Sequence, residues 1–233
     1  MYNRKRLGFT LAEVLITLGV IGVVAAMTIP TLITNHQKKQ TVVKLQRAIS
    51  VMNQAYRLAY DDVGEVTAEE AKRLTNEVYF NKYWAPYLKT SIICKNYSQC
   101  GYDSGRPFKL PSGAIYDAWL FAADARTAFS TSDGFFYVVF IYGGKDSLPM
   151  SSIFVDINGS KNPNTIGKDV FFLQRVIDGE KGGVVLPSCY NYTDAQIDRD
   201  CSVNGSKNGE VGQCCAEKIK RSGWNIDKSY PWK

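Results

Sequence analysis

Residues 4–26 read RKRLGFTLAEVLITLGVIGVVAA. Three bases, Arg4, Lys5 and Arg6, meet an apolar run, and Gly8 stands at the junction. One acid, Glu13, interrupts the run near its start. As a helix, residues 9–32 would extend roughly 36 Å at ~1.5 Å per residue. That is enough to cross a hydrocarbon core of ~30 Å. Three readings compete. The first is a cleaved secretory signal with a small-residue site at Ala25-Ala26. The second is an uncleaved signal anchor. The third is a leader cut at the junction itself. Only the third gives Gly8 and Glu13 a reason. A carboxylate inside an apolar span costs roughly 2–3 kcal/mol on insertion scales, so it is kept for a partner. Charge leaves the topology open: Arg4, Lys5 and Arg6 favour a cytoplasmic leader, while Lys38 and Lys39 on the far side weaken that vote.

The run Gly8-Phe9-Thr10-Leu11-Ala12-Glu13 resembles the cleavage and methylation signature of type IV prepilins and type II secretion pseudopilins. The resemblance covers about the first thirty residues. It implies that a membrane prepilin peptidase cuts after Gly8 and that Phe9 becomes the N-methylated terminus. It implies that Glu13 is the assembly carboxylate, meeting the amine of a neighbouring subunit. Opposite charges attract strongly in low dielectric, and either alone is costly there. Pro30 falls where many pilins carry a helix-interrupting proline. The implied partners are the peptidase, other pilin or pseudopilin subunits and an inner-membrane assembly platform. The implied place is the bacterial inner membrane, single-pass with the head outside the cytoplasm, and then a filament.

Beyond the apolar run, Val42, Leu45, Ile49, Met52, Tyr56 and Ala59 recur at helical spacing, with Lys39, Lys44, Arg47 and Arg57 off the stripe. This predicts one long helix reaching to about residue 60, whose amphipathic part seats a globular head. Pro30 should bend or locally open it. Thr67-Ala68-Glu69-Glu70 has the pattern of a capping box and predicts a second helix running to about Trp84. Aromatic and β-branched runs then predict strands at 114–121, 135–142, 153–157 and 170–177, with a short one at 184–186. A last helix is predicted near 214–221, stopped by Gly223. The fold class is α+β: a long N-terminal helix, transmembrane then amphipathic, packed on an antiparallel sheet, as in pilins. The expected parts are a leader at 1–8, a membrane and filament-core helix at 9–34, its amphipathic continuation at 35–60, an α+β head at 61–188 and a cysteine-rich region at 189–233.

The chain has 233 residues, 45% hydrophobic and 21% charged, which fits a globular protein rather than a disordered or polytopic one. The net charge of +6 is a weak signal for nucleic acid, all the more because the leader supplies three of those charges. The basic residues Lys207, Lys218, Lys220, Arg221 and Lys228 read as a solvated face rather than a DNA contact, so nucleic acid is not an expected partner. Six cysteines, Cys94, Cys100, Cys189, Cys201, Cys214 and Cys215, all follow the apolar run. Their spacing suits zinc poorly, and the only histidine is His36. Disulfides in an oxidising space are expected, with Cys94–Cys100 the natural local pair among about 15 pairings.

The densest set of oxygen ligands lies at 156–169, where Asp156, Asn158, Asn164 and Asp169 could hold a hard cation such as Ca²⁺. The segment is not an EF-hand, because Gly159 is misplaced and the final glutamate is missing. Major pseudopilins hold calcium in a loop of the sheet region, so the resemblance points the same way. The plain alternative is a loop between two strands, with Asn158-Gly159 and Pro163-Asn164 as turn residues. No phosphate loop, Ser/His/Asp arrangement or zinc motif is readable, and no enzymatic activity is expected. The expected function is a structural subunit of a type II secretion pseudopilus or type IV pilus-like filament. The alternative is a minor pilin acting as a surface or DNA-binding subunit, and a membrane-tethered enzyme is a more distant third.

Overall fold

The computed structural model describes residues 10–71, 73–116, 126–142, 150–178, 182–203 and 212–232. The chain divides into two compact units, one ending at Gln40 and the other Thr41–Lys233. Helix α1, Leu11–Val63, contributes to both and runs through Pro30 without a break. Pro30 has no N–H to offer the Ala26 carbonyl, yet the residues on both sides of it are helical. In the first unit the large apolar side chains from Leu11 to Ile33 are exposed, including Leu15, Ile21, Met27 and Leu32.

The second unit is built on a six-stranded antiparallel sheet in sequential order. Its strands are β1 (Thr90–Cys94), β2 (Thr127–Thr131), β3 (Phe136–Tyr142), β4 (Met150–Asp156), β5 (Val170–Asp178) and β6 (Gly182–Pro187). β3 reads as a nearly continuous apolar run because both of its faces are covered. Tyr137 and Val139 pack on the side of α1, with Leu45, Met52, Tyr56 and Phe80 in the same cluster. Phe136 and Val138 face a second cluster with Tyr102, Phe108 and Phe154. The residues of α1 that become buried are Thr41, Val42, Leu45, Ala48, Met52, Ala55, Tyr56 and Ala59: the predicted stripe widened by Thr41, Ala48 and Ala55, with Ile49 half-covered.

Two side chains of α1 complete the edge of the sheet. The Asn53 amide donates to the Val185 carbonyl at 2.8 Å and accepts from the Val185 N–H at 2.8 Å, as a neighbouring strand would. The Tyr56 hydroxyl accepts from the Gly183 N–H at 2.9 Å. A Cβ on Gly183 would lie 2.8 Å from that hydroxyl and 2.6 Å from the Val176 carbonyl, so only glycine permits the approach. Just beyond the helix, Glu65 pairs with the fully buried Arg175 of β5, whose guanidinium lies 5.4 Å from the Tyr56 ring and 5.9 Å from the Tyr79 ring.

Three local expectations need correction. The helix foreseen from Thr67 to Trp84 is two pieces, α2 (Ala68–Ala71) and α3 (Asn76–Tyr83). Thr75 is extended and caps α3 by accepting from the Val78 N–H, which restarts the helix. Thr67 caps α2, but Glu70 turns away to Lys82 (2.6 Å) and Tyr83 (2.8 Å) instead of closing the box. The strand foreseen at 114–121 is described only to Tyr116. There it folds back on 108–110 through a Lys109–Ile115 bridge and does not join the sheet; the remainder lies outside the described residues. β1 and β2 were not foreseen.

The cysteine region adds α4 (Asp194–Asp200) and α5 (Cys215–Arg221). α4 opens on a full capping box, Thr193 with Gln196. α5 ends as predicted, with Gly223 at φ 71°. The disulfides are Cys94–Cys100, Cys189–Cys214 and Cys201–Cys215. The adjacent Cys214 and Cys215 thus take different partners, tying α5 to both ends of α4's segment.

Replacing Asn53 with Ala should lower stability by about 1–3 kcal/mol, because the Val185 N–H and carbonyl lose their partners at once. Urea unfolding of the full chain in detergent reads this as a lower midpoint with an unchanged slope.

Candidate functional site

The first site is the start of α1. Thr10 precedes the first helical residue, and its N–H and hydroxyl both donate to Glu13 Oε2, at 2.8 and 2.9 Å. The Glu13 N–H donates back to Thr10 Oγ1 at 3.2 Å. This is a reciprocal capping box. It gives two free donors a partner and puts a negative charge at the positive end of the helix dipole. In the lone subunit the Glu13 carboxylate therefore caps its own helix and is exposed. The part played by Thr10 escaped the sequence reading, although the Thr-x-x-Glu spacing that signals it was there to be read. Gly8 and Phe9 lie outside the described residues. α1 is long and apolar enough in its first part to cross a membrane, and none of that stretch is buried in the protein.

The second site is the loop between β4 and β5. Asp156 is the last residue of β4 and is completely buried. Its Oδ1 accepts from the Asn158 N–H at 3.1 Å and its Oδ2 from the Tyr102 hydroxyl at 2.9 Å. Asp169, just before β5, is also buried. Its Oδ1 accepts from the Thr165 N–H at 2.6 Å, and its Oδ2 accepts from the Asn164 N–H at 2.9 Å and Asn158 Nδ2 at 3.1 Å. The four predicted residues thus share one network. Asn158 Oδ1 and Asn164 Oδ1 are buried there without a hydrogen-bond partner. Asn164 has φ 50°, a left-handed conformation that asparagine tolerates. Gly159 at φ 64° passes so close to Gly134 that a Cβ would lie 2.8 Å from its carbonyl oxygen.

Burial dominates the electrostatics. It pushes the Asp156 carboxyl well above the usual range, with the negative charge of Asp169 adding to the effect. Burial also raises Asp169, to about 6, against the lowering pull of its N–H donors. The Tyr102 phenol is held far up by burial and by Asp156. The loop is fixed from outside as well. Thr41 of α1 donates to the Lys168 carbonyl at 2.9 Å, and the Tyr230 hydroxyl donates to the Gly167 carbonyl at 2.6 Å. Lys168 lies over the Trp232 ring at 5.6 Å.

Two other clusters resolve into structure. Cys189, Asp200 and Cys214 bring ligand-type atoms within 4.8 Å of one another, but both sulfurs are in their disulfide and Asp200 accepts from the Cys214 N–H at 2.6 Å. Three of the basic residues near the C-terminus are engaged internally, Lys218 with Asp198, Lys220 with Glu217, and Arg221 with both Asp194 and Glu217, while Lys228 is exposed. This removes much of the charge that a phosphate backbone would need. Lys207 lies outside the described residues.

Residues 3–29 match the prokaryotic N-terminal methylation motif. Residues 31–137 match a family of unknown function (DUF6613). No curated protein and no solved structure gives a match. The chain therefore carries a type IV pilin-like prepilin signature, followed by the long helix and antiparallel sheet of a pilin-like α+β architecture. That signature implies processing by a prepilin peptidase and assembly with other pilin subunits, and with the apolar helix it fits anchoring in the inner membrane.

The buried carboxylates predict an unusual pH response in the presence of a chelator. Asp169 has a folded pKa near 6, above the unfolded value of about 3.9. Between those values the folded state binds a proton that the unfolded state has lost. Stability should therefore fall as pH rises from about 4 to about 7, by on the order of 2–3 kcal/mol, and Asp156 acts in the same direction. Urea titrations at pH 4.5 and 7.5 measure it, and Asp169→Asn should flatten the difference.

Proposed function

We propose that this chain is a structural subunit of a type II secretion pseudopilus or of a type IV pilus-like filament. The observation that carries the reading is the methylation motif running directly into an apolar helix with one acid, Glu13, at its start. Prepilin peptidase removes residues 1–8, and Phe9 becomes the methylated terminus. The helix waits in the inner membrane with Glu13 folded onto Thr10. An assembly platform then moves it into a filament core, where apolar helices replace lipid and Glu13 exchanges its own helix end for the amine of a neighbouring copy. The exchange loses little, because the carboxylate leaves one set of donors only as it gains an opposite charge in low dielectric. The head serves contacts between subunits and with partners. We assign it no reaction.

The β4–β5 loop joins this reading as a candidate cation site. Asp156 and Asp169 supply charge, and the unpartnered Asn158 Oδ1 and Asn164 Oδ1 supply neutral oxygens, the donor set that a hard cation prefers. Bound Ca²⁺ would neutralise two buried carboxylates that otherwise oppose each other. Its role there is to stiffen the loop that Thr41 and Tyr230 hold against the helix and the C-terminal tail.

Glu13→Ala should leave membrane insertion intact and reduce filament incorporation by at least about tenfold, the scale of one lost charge pair in low dielectric. Fractionation of membranes against sheared filaments reads both quantities, and normal incorporation would remove Glu13 from the mechanism. Millimolar Ca²⁺ should raise the unfolding temperature of chelator-treated protein by several degrees at pH 7.5. Asp169→Asn should abolish that shift, and an unshifted parent protein would rule out the cation.

A further inference from the structure

The turn that leads into Asp169 is gripped from outside at two successive peptide groups. The Gly167 carbonyl accepts from the Tyr230 hydroxyl at 2.6 Å, and the Lys168 carbonyl accepts from the Thr41 hydroxyl at 2.9 Å. Both groups lie between Asn164 and Asp169, two of the four oxygen-bearing residues of the β4–β5 loop. The turn is closed on itself. The Thr165 carbonyl accepts from the N–H groups of Lys168 and Asp169 at 2.9 and 3.2 Å, and the Gly167 N–H donates to the Val170 carbonyl at 2.9 Å. A shift of the Gly167–Lys168 peptide is therefore felt at Asn164 and at Asp169. Asn164 is only 5% exposed, and its Oδ1 has no hydrogen-bond partner. A bare neutral oxygen buried in one network with two carboxylates suits a ligand position better than a plain turn.

One of the two grips comes from the far end of the chain. From Ser222 to Trp232 the chain forms turns but neither helix nor strand. Side chains hold it in place. Ile226 and Tyr230 are buried in the main core, and Trp224 and Trp232 pack against that core partly covered. Lys218 donates to the Ser229 carbonyl at 3.3 Å, and the Lys168 ammonium lies over the Trp232 ring at 5.6 Å. The contact at Gly167 has no slack. Its φ is 84°, and a Cβ there would lie 3.1 Å from the Tyr230 hydroxyl and 3.2 Å from the Cys215 sulfur. Segments without a backbone ladder are the ones that open locally at low cost. This tail is such a segment, and the cation loop is one of the places where it is fastened.

We propose that the C-terminal tail, residues 222–232, is a latch on the β4–β5 cation site, with Tyr230 positioning the turn between Asn164 and Asp169. The inference rests on the cation reading above and adds the segment that regulates the site. Two events that favour the same arrangement of one turn are linked, and the linkage is reciprocal. With the tail seated, the turn is preset, so the cation has less ordering to do when it binds. With the cation bound, Asn164 and Asp169 are fixed, the Gly167 carbonyl stays under Tyr230, and the tail is retained. Loss of the cation loosens the tail and uncovers the apolar contacts of Ile226 and Tyr230. Occupancy of a buried site is thereby carried to the surface of the head.

The test uses the full chain in detergent, stripped with a chelator and titrated with Ca²⁺ at pH 7.5. Tyr230→Phe keeps the ring in the core and removes only the hydroxyl that holds Gly167. Its Ca²⁺ affinity by calorimetry should be about fivefold to tenfold weaker than the parent's, the scale of one buried hydrogen bond. In the parent, saturating Ca²⁺ should slow hydrogen exchange of the tail amides, 223–230, by at least about fivefold. In Tyr230→Phe that slowing should shrink to less than about twofold. A hydroxyl that served stability alone would lower the unfolding temperature with and without Ca²⁺ and leave the affinity unchanged. Equal affinity in the parent and Tyr230→Phe, or tail exchange indifferent to Ca²⁺ in a parent that binds it, would overturn the latch and leave the cation reading standing. A parent chain that takes up no Ca²⁺ would sink that reading, and the latch with it.

Discussion

One helix has to satisfy two surroundings, and the rest of the structure follows from that constraint. The first part of α1 leaves its large apolar side chains exposed, with none of them buried in the protein. The part from Thr41 onward buries a single stripe against the sheet. The helix can change its task without a loop because its backbone hydrogen bonds are internal in either medium, and only the side-chain pattern has to change. The switch is abrupt in sequence, since polar residues from Asn35 to Gln40 separate the two patterns.

The sheet depends on α1 for more than apolar cover. Asn53 and Tyr56 satisfy backbone groups of β6 that an edge strand would otherwise present to solvent or to another chain. Glu65 neutralises Arg175, whose side chain is fully buried. Thr41 reaches the loop that carries Asp169. The acidic loop is therefore anchored at its two ends by strands and from outside by the helix and by Tyr230. Its buried carboxylates are costly in themselves, and this anchoring is what keeps them from rearranging towards water.

Much of this was legible in the sequence where side-chain chemistry is strong and local. The Gly8 to Glu13 run, the 3-and-4 spacing from Val42 to Ala59 and the aromatic runs of β3 and β5 each announced their element. So did Gly223 at the end of α5. The oxygen cluster at 156–169 was legible as well, and the structure brings its four residues into one network. β1 and β2 were not legible: TSIIC and TAFST are short, mixed in polarity and held mainly by their neighbours. The break before α3 was hidden because Thr67 and Thr75 each cap a helix, and the pull of Lys82 and Tyr83 on Glu70 leaves the box at Thr67 open. The pairing of Cys189, Cys201, Cys214 and Cys215 depends on how α4 meets α5, which spacing does not encode.

The most direct test of the central claim is the N-terminus of the protein taken from the membranes of its native host. Intact mass and N-terminal sequencing should show a chain that begins at Phe9 and carries one methyl group on its amine. A chain beginning near Met27, or still at Met1, would contradict the account and return α1 to the role of a signal or a simple anchor.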